Sequence, residues 1–490
     1  MNISKFLRAD SYKAGHSVQY PEAKKMVAYG EFRKAFPGVD DERIVFYGIN
    51  YIVDKYLNRR WTREELDQAE RFYNQHNAGL TPYPFPRDLF ESFIEDNGGY
   101  FPIKLQALQD GSVIKPHVPV YQITAEGKYS RLVTFLETVL TQVWYPSNVA
   151  TLSKHTKTLI EKAFEKSVDP EFNWLLGSRL HDFGYRGCST EEQALIGGSA
   201  HLLNFDGTDT MVAAAYAHEM NNGVPFAQSI PATEHSVMTA WPTELDAVRN
   251  MIQHFGHGVF ACVADSYDYD NFLTTVLPAV ADEVKAKGGL MVVRPDSGDP
   301  VESVLKGLFA CERAFGVTLN NKGYKVLNNS AVIQGDGIDI AIVDKILESA
   351  LAAGFSAQNV AFGMGAGLLH KHNRDTMSFA TKLSYIEYAD GTKRNVMKAP
   401  KTDQGKTSLP GILKVIYDGD IRIGTEEDIG KNLLVTVYDR GPIEVKRDTF
   451  FDIRNRLNEQ WERTKSLTKG SRFTPRLLAR IEETLAYLRK

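Results

Sequence analysis

The chain has 490 residues, 43% hydrophobic and 24% charged, and its 26 Phe, 22 Tyr and 5 Trp supply enough apolar surface for a large core. This composition excludes disordered, collagen-like and disulfide-scaffold chains, and at about 150 residues per domain the length bounds the protein at about two or three domains. With 57 basic and 61 acidic side chains the net charge is −4, which gives no global electrostatic case for nucleic acid or a membrane surface.

The N-terminal stretch has no apolar run followed by small residues, and no segment approaches about 18 uninterrupted apolar residues, so neither a leader nor a membrane span is expected. Further on, Ile103-Lys-Leu-Gln-Ala-Leu108, the Asp110-Gly111 pair and the alternating residues 113–123 predict antiparallel strands. From residue 183 to 374 apolar β-prone runs alternate with amphipathic stretches. The runs include 259–263 before Asp265, 290–293 before Arg294, 332–333 before Gly335 and 360–362 before Gly363. Ser189-Thr-Glu-Glu192 predicts a capping box, and Thr243 predicts the start of a helix carrying Leu245, Val248, Ile252 and Phe255. Continuous apolar strands alternating with helices over about 200 residues predict an α/β barrel. Asp390-Gly391, Asp418-Gly419 and Asp439-Arg-Gly441 then predict hairpins, and Leu478, Ile481, Leu485 and Leu488 form one face of a docking helix. The expected architecture is a barrel over residues 151–384 with an antiparallel β-rich domain built from 1–150 and 385–490. Cys188, Cys262 and Cys311 lie outside any CxxC spacing, which fits a reducing, cytoplasmic setting.

Barrel active sites gather at the C-terminal ends of the strands. The residues after the apolar runs are His181-Asp-Phe-Gly-Tyr-Arg-Gly187, Gly207-Thr-Asp-Thr210, Glu234-His-Ser236, Asp265-Ser-Tyr-Asp268, Arg294-Pro-Asp-Ser-Gly298, Gln334-Gly-Asp-Gly337 and Gly363-Met-Gly-Ala-Gly367. Glycine turns at 335–337 and 363–367 either serve as tight turns or let backbone N–H groups close on phosphate. Asp296 and Asp336 are turn residues, acceptors for sugar hydroxyls, or ligands to a metal through water. Arg186 and Arg294 read as structural ion pairs or as forks for phosphate or a carbonyl. His235, beside Glu234 and with Asp265 as a spatial partner, is either an ordinary histidine or a base or phosphoryl acceptor. Neither Walker nor Rossmann spacing is present, which ranks kinases and dehydrogenases low. His254/His257 and His370/His372 lack a third ligand, so no protein-held metal is expected. No lysine ends a central run, which disfavours a Schiff-base aldolase. A non-catalytic binding protein on the same fold is the remaining alternative. Basic residues gather at Arg374, Lys382, Lys393, Arg394, Lys398, Lys401 and Lys406, either as a solvated face or facing a polyanionic ligand.

Together with Asp10-Ser-Tyr-Lys13 and Val45-Phe-Tyr-Gly48, these motifs resemble the nicotinamide phosphoribosyltransferases of the nicotinate/nicotinamide (type II) phosphoribosyltransferase family nearly end to end. The resemblance implies an irregular (β/α) barrel with a flanking β-rich domain, and a homodimer whose active sites take residues from both subunits. It also implies transfer of phosphoribose from phosphoribosyl pyrophosphate to nicotinamide in NAD biosynthesis, with Mg²⁺ accompanying pyrophosphate and ATP as coupled co-substrate. The same resemblance assigns Phe183 and Tyr12 to sandwich the pyridine, Arg186 and Arg294 to frame it, and Asp209 to accept the carboxamide N–H. Asp296, Gly335 and Asp336 would hold ribose, and Gly365, Ala366 and Arg374 its 5′-phosphate. Arg33, Lys382, Lys398 and Lys406 would meet phosphate charge, Asp10 and Glu234 would complete the substrate site, and His235 would be phosphorylated by ATP with Asp265 orienting it. Nicotinate phosphoribosyltransferase is the alternative. Ala261, Ala366 and Ala380 depart from the family pattern of serine, glycine and serine.

Overall fold

The computed structural model describes residues 3–402, 404–444, 446–465 and 472–489, and the chain divides into residues 152–372 and residues 1–151 with 373–490. In the first of these units, five parallel strands lie in the order Leu180–Asp182, Val360–Met364, Ser330–Gln334, Leu290–Arg294 and Val259–Val263. The strands read as unbroken apolar runs because both faces are covered, and all five residues of Val360–Met364 are buried. Single parallel bridges, Asp182 to Thr208, Gly207 to Gln228 and Ala232 to Ala261, extend the sheet from its two edges. Ala261, Val292, Ile333 and Ala361, from four neighbouring strands, pack together with Phe183 and Ile230 against them.

Helices return the chain between strands. Thr243 caps Glu244–Phe255 by accepting from the Asp246 N–H, and Ala247, Val248, Met251 and Ile252 form its buried stripe. The predicted capping box becomes a simple N-cap one residue later: Thr190, not Ser189, caps Glu191–Leu202 by accepting from the Gln193 N–H. Ser189 instead donates its N–H to the Gln193 side chain at 2.8 Å.

The other unit carries a six-stranded antiparallel sheet in the order Lys393–Asn395, Ala380–Tyr388, Ala23–Glu31, Pro119–Glu126, Ile103–Ala107 and Val435–Asp439. Ala380–Tyr388 pairs along Ala23–Glu31, so the boundary falls at 372/373 rather than at 384/385. Two of the expected hairpins form, at Asp390-Gly391 and at Asp418-Gly419. Asp439-Arg-Gly441 forms none, because Val435–Asp439 pairs with Ile103–Ala107 and no strand follows it among the described residues. Asp110-Gly111 also joins strands of different sheets: Ser112–Ile114 pairs with Ile44–Phe46, while Ile103–Ala107 pairs with Pro119–Glu126. The Asp110 carboxylate accepts from the N–H groups of Gly48 and Ile49 at 2.8 and 3.1 Å, and burial raises its pKa to about 6. The helix Pro475–Leu488 buries Leu477 and Thr484 but leaves Leu478 and Leu488 40% and 43% exposed, so its packed stripe is rotated from the expected face. Among the described residues no helix is long and apolar enough to cross a membrane.

Candidate active site

The C-terminal strand ends of the 152–372 unit open into a cavity of ≈ 830 Å³ lined by every motif the sequence placed there except Asp265-Ser-Tyr-Asp268. Phe183 follows the Leu180–Asp182 strand, and its N–H donates to the Met364 carbonyl at 3.1 Å. Its ring packs close against glycine backbone: a Cβ at Gly363 would sit 2.0 Å from Phe183 Cε2, and one at Gly335 3.2 Å from it. Only hydrogen at residue 363 leaves room for the ring.

Asp209 follows a short segment tied to the same strand, its N–H donating to the Asp182 carbonyl at 3.0 Å. Ser229 donates its hydroxyl to Asp209 Oδ1 at 2.5 Å, so Oδ2 is the acceptor left for a ligand. Behind it, Asp182 is fully buried and accepts from the Gly184 N–H at 2.7 Å. Burial nevertheless pushes the Asp182 carboxyl up to about 6, and burial pulls the neighbouring His181 imidazole down.

His235 opens the short helix His235–Ala240. Its Nδ1 lies 3.0 Å from Ser266 Oγ, and its Nε2 lies 3.4 Å from Asp296 Oδ2 and 4.0 Å from Asp265 Oδ1. Asp296 is therefore its nearest carboxylate. Asp265 Oδ2 is engaged elsewhere, accepting from the Asp296 N–H at 2.8 Å and from Ser297 Oγ at 2.5 Å. That clamp fixes the turn after Leu290–Arg294, while the buried Asp265 Oδ1 has no hydrogen-bond partner among the described residues. Arg294 Nη2 approaches Asp296 Oδ2 at 3.7 Å, so Asp296 lies within ion-pair reach of both a guanidinium and an imidazole. Arg186, Glu234, Asp336, Gly365 and Ala366 line the same cavity, and Glu234 accepts from the Ser236 hydroxyl. His370 and His372 contact the carbonyls of Gly184 and Leu368 at 2.6 and 2.7 Å. Among the described residues no group of three metal-binding side chains gathers.

The remaining candidates belong to the 1–151/373–490 unit. Asp10 accepts from Thr138 Oγ1 at 2.9 Å, and Tyr12 is 51% exposed, its phenol raised by burial and by Glu137 and Asp10. Arg33 Nε pairs with the fully buried Glu31 at 2.9 Å. Lys382 lies near Arg33 and Lys398, and burial followed by Arg33 holds its ammonium below the usual range. Arg374 Nη2 lies 3.1 Å from Asp375, and Lys406 is exposed. Sequence reasoning did not find Ser229, Ser266 and Ser297. Ser266 and Ser297 lie within motifs and Ser229 lies between two of them, but a hydroxyl that orients a neighbour leaves no periodic trace.

A parallel sheet gathering an aromatic face, two arginines, a histidine, several carboxylates and two glycine turns at its strand ends defines an α/β enzyme cleft. The chain belongs to the nicotinate phosphoribosyltransferase (NAPRTase) family, which residues 178–442 match, and residues 4–105 match the nicotinamide phosphoribosyltransferase N-terminal domain. A nicotinamide phosphoribosyltransferase of Xanthomonas campestris is 39% identical over 455 residues, 89% of this chain and 94% of that one. One from Acinetobacter baylyi is 32% identical over 504 residues, 92% and 97% of the two chains. Human nicotinic acid phosphoribosyltransferase shares the fold at 18% identity, with a TM-score of 0.61 over 97% of this chain and 99% of that one. Nicotinate-nucleotide pyrophosphorylase from Pyrococcus furiosus does so at 14% and 0.60, over 94% and 96%.

Proposed function

We propose that this chain transfers the 5-phosphoribosyl group of phosphoribosyl pyrophosphate to nicotinamide, giving nicotinamide mononucleotide and pyrophosphate in NAD biosynthesis. The observation that carries this reading is one cavity holding the Phe183 ring, the Asp209 carboxylate with one oxygen committed to Ser229, and both Arg186 and Arg294. The aromatic face stacks on pyridine, Asp209 Oδ2 accepts from the carboxamide N–H, and the arginines supply donors for its carbonyl. Asp296, Gly335 and Asp336 hold ribose, and backbone N–H groups of the 363–367 turn meet the 5′-phosphate. The pyridine nitrogen then donates its lone pair to the ribose C1 as the C1–O bond breaks and pyrophosphate leaves with the bonding pair. Positive charge develops on the ring oxygen and C1, and the Asp296 carboxylate stabilises it.

We assign the cationic set of Arg33, Arg374, Lys382, Lys398 and Lys406 to phosphate and pyrophosphate charge. Asp296 and Asp265 Oδ1 are the oxygens that would hold Mg²⁺, which would supply neutralisation of the leaving-group charge. His235 is the phosphoryl acceptor from ATP. The sheet and its bridges form an irregular (β/α) barrel, the other unit is the antiparallel β-rich domain, and the enzyme is a cytoplasmic homodimer in which the half-exposed Tyr12 and Asp10 serve the partner's site.

The test is nucleotide formation by purified protein with phosphoribosyl pyrophosphate, Mg²⁺ and either nicotinamide or nicotinate, each with and without ATP. Turnover of nicotinamide, raised by ATP in the wild type but not in His235→Ala, is the expected result. Turnover of nicotinate alone would transfer the reading to nicotinate phosphoribosyl transfer, and silence with both bases would overturn it. A second expectation concerns Gly363. The added methyl of Gly363→Ala displaces the Phe183 ring and raises the nicotinamide KM by about tenfold or more in steady-state kinetics. An unchanged KM would show that the ring does not bear on the base.

A further inference from the structure

We infer that His201, outside the cavity, is a positioning residue that sets the spacing between the strand delivering Phe183 and the bridged segment delivering Asp209. The inference rests on the base-pocket reading above. His201 lies near the end of Glu191–Leu202 and is fully buried. Its ring stacks on Phe205 with centroids 5.2 Å apart and planes at 17°. Nε2 lies 3.2 Å from the Leu180 carbonyl and 3.2 Å from the Gly207 carbonyl, and Nδ1 lies 2.9 Å from Ser153 Oγ. Carbonyls only accept, so Nε2 carries a proton and shares it between the two segments, while Nδ1 is bonded to the Ser153 hydroxyl.

The placement of these carbonyls gives the contact its consequence. Leu180 stands three residues before Phe183, and Gly207 stands two before Asp209. Two backbone bonds also join the strand and the segment here, Asp182 N–H to the Gly207 carbonyl at 3.3 Å and Asp209 N–H to the Asp182 carbonyl at 3.0 Å. The Gly207 carbonyl therefore accepts from both strand and imidazole. A Cβ at 207 would come within 2.8 Å of the His181 ring, so strand and segment are closely apposed. One side chain thus holds together the backbone behind the stacking ring and behind the carboxamide acceptor, and small displacements of such groups are felt in binding.

The experiment compares His201→Leu, His201→Gln and Ser153→Ala with wild type, using whichever pyridine the wild type turns over. In His201→Leu the KM for the pyridine rises by about tenfold, the loss expected when a pair of hydrogen bonds goes, while kcat and the KM for phosphoribosyl pyrophosphate stay within about twofold. Gln restores an N–H donor and recovers most of the loss, and Ser153→Ala shows a smaller rise of the same kind. Amide hydrogen exchange over 180–183 and 206–210, read without substrate, quickens in His201→Leu and Ser153→Ala. A parallel fall in all kinetic parameters, or wild-type pyridine KM and unchanged exchange in Ser153→Ala, would overturn the inference even if His201→Leu fails to fold. A wild type inactive with both bases would sink the functional reading while leaving the exchange test of His201 intact.

Discussion

Asp209→Asn lowers kcat/KM for nicotinamide by about 10–100-fold and shifts the ratio of nicotinamide to nicotinate use toward nicotinate, the size expected from losing a charge-assisted hydrogen bond. The expectation follows from the way the carboxylate is held. Ser229 occupies Oδ1 at 2.5 Å, which fixes the group and leaves Oδ2 to accept from the carboxamide. A nicotinate carboxylate in the same place has no proton to offer and is repelled. Asparagine removes the repulsion and brings an N–H₂ donor, so the two bases become more nearly equivalent. Competition assays with both bases at equal concentration measure the ratio directly. An unchanged ratio would remove Asp209 from base selection and turn attention to Arg186 and Arg294.

The sequence made the frame of this site legible because buried parallel strands are unbroken apolar runs, and each run ends where polar chemistry begins. Val259–Val263, Leu290–Arg294 and Val360–Met364 form where the apolar runs lie, so Arg294 and Gly363 could be placed at strand ends without coordinates. Pairings across long sequence separations were harder. Asp439-Arg-Gly441 has hairpin chemistry, yet Val435–Asp439 finds its partner at Ile103–Ala107, and no local pattern encodes a partner over 300 residues away. Charge relations inside the site were likewise only half legible. Spacing pointed from His235 to Asp265, but Asp265 clamps the Asp296 N–H and the Ser297 hydroxyl, which brings the Asp296 carboxylate nearer the imidazole. Ser229 and the His201 brace depend on three-dimensional proximity alone.

Asp296→Ala is expected to lower kcat by about 10³-fold with a smaller change in the KM for nicotinamide. A carboxylate about 4 Å from developing positive charge, at an effective dielectric constant of about 20, is worth about 4 kcal/mol, which is that factor. The carboxylate lies within 3.4 Å of His235 Nε2 and 3.7 Å of Arg294 Nη2, so its charge is held in place before substrate arrives. The backbone N–H that binds Asp265 remains in the variant, so the turn keeps its clamp and the loss reads the side chain. Asp296→Asn separates two roles. If Asp296 only accepts hydrogen bonds from ribose hydroxyls, the neutral amide retains most of the turnover. If it stabilises the oxocarbenium-like charge, asparagine falls nearly as far as alanine, because shape is kept and charge is lost. Single-turnover kinetics with saturating phosphoribosyl pyrophosphate distinguish the cases, and wild-type kcat in Asp296→Ala would place the electrostatic centre of the reaction on another group.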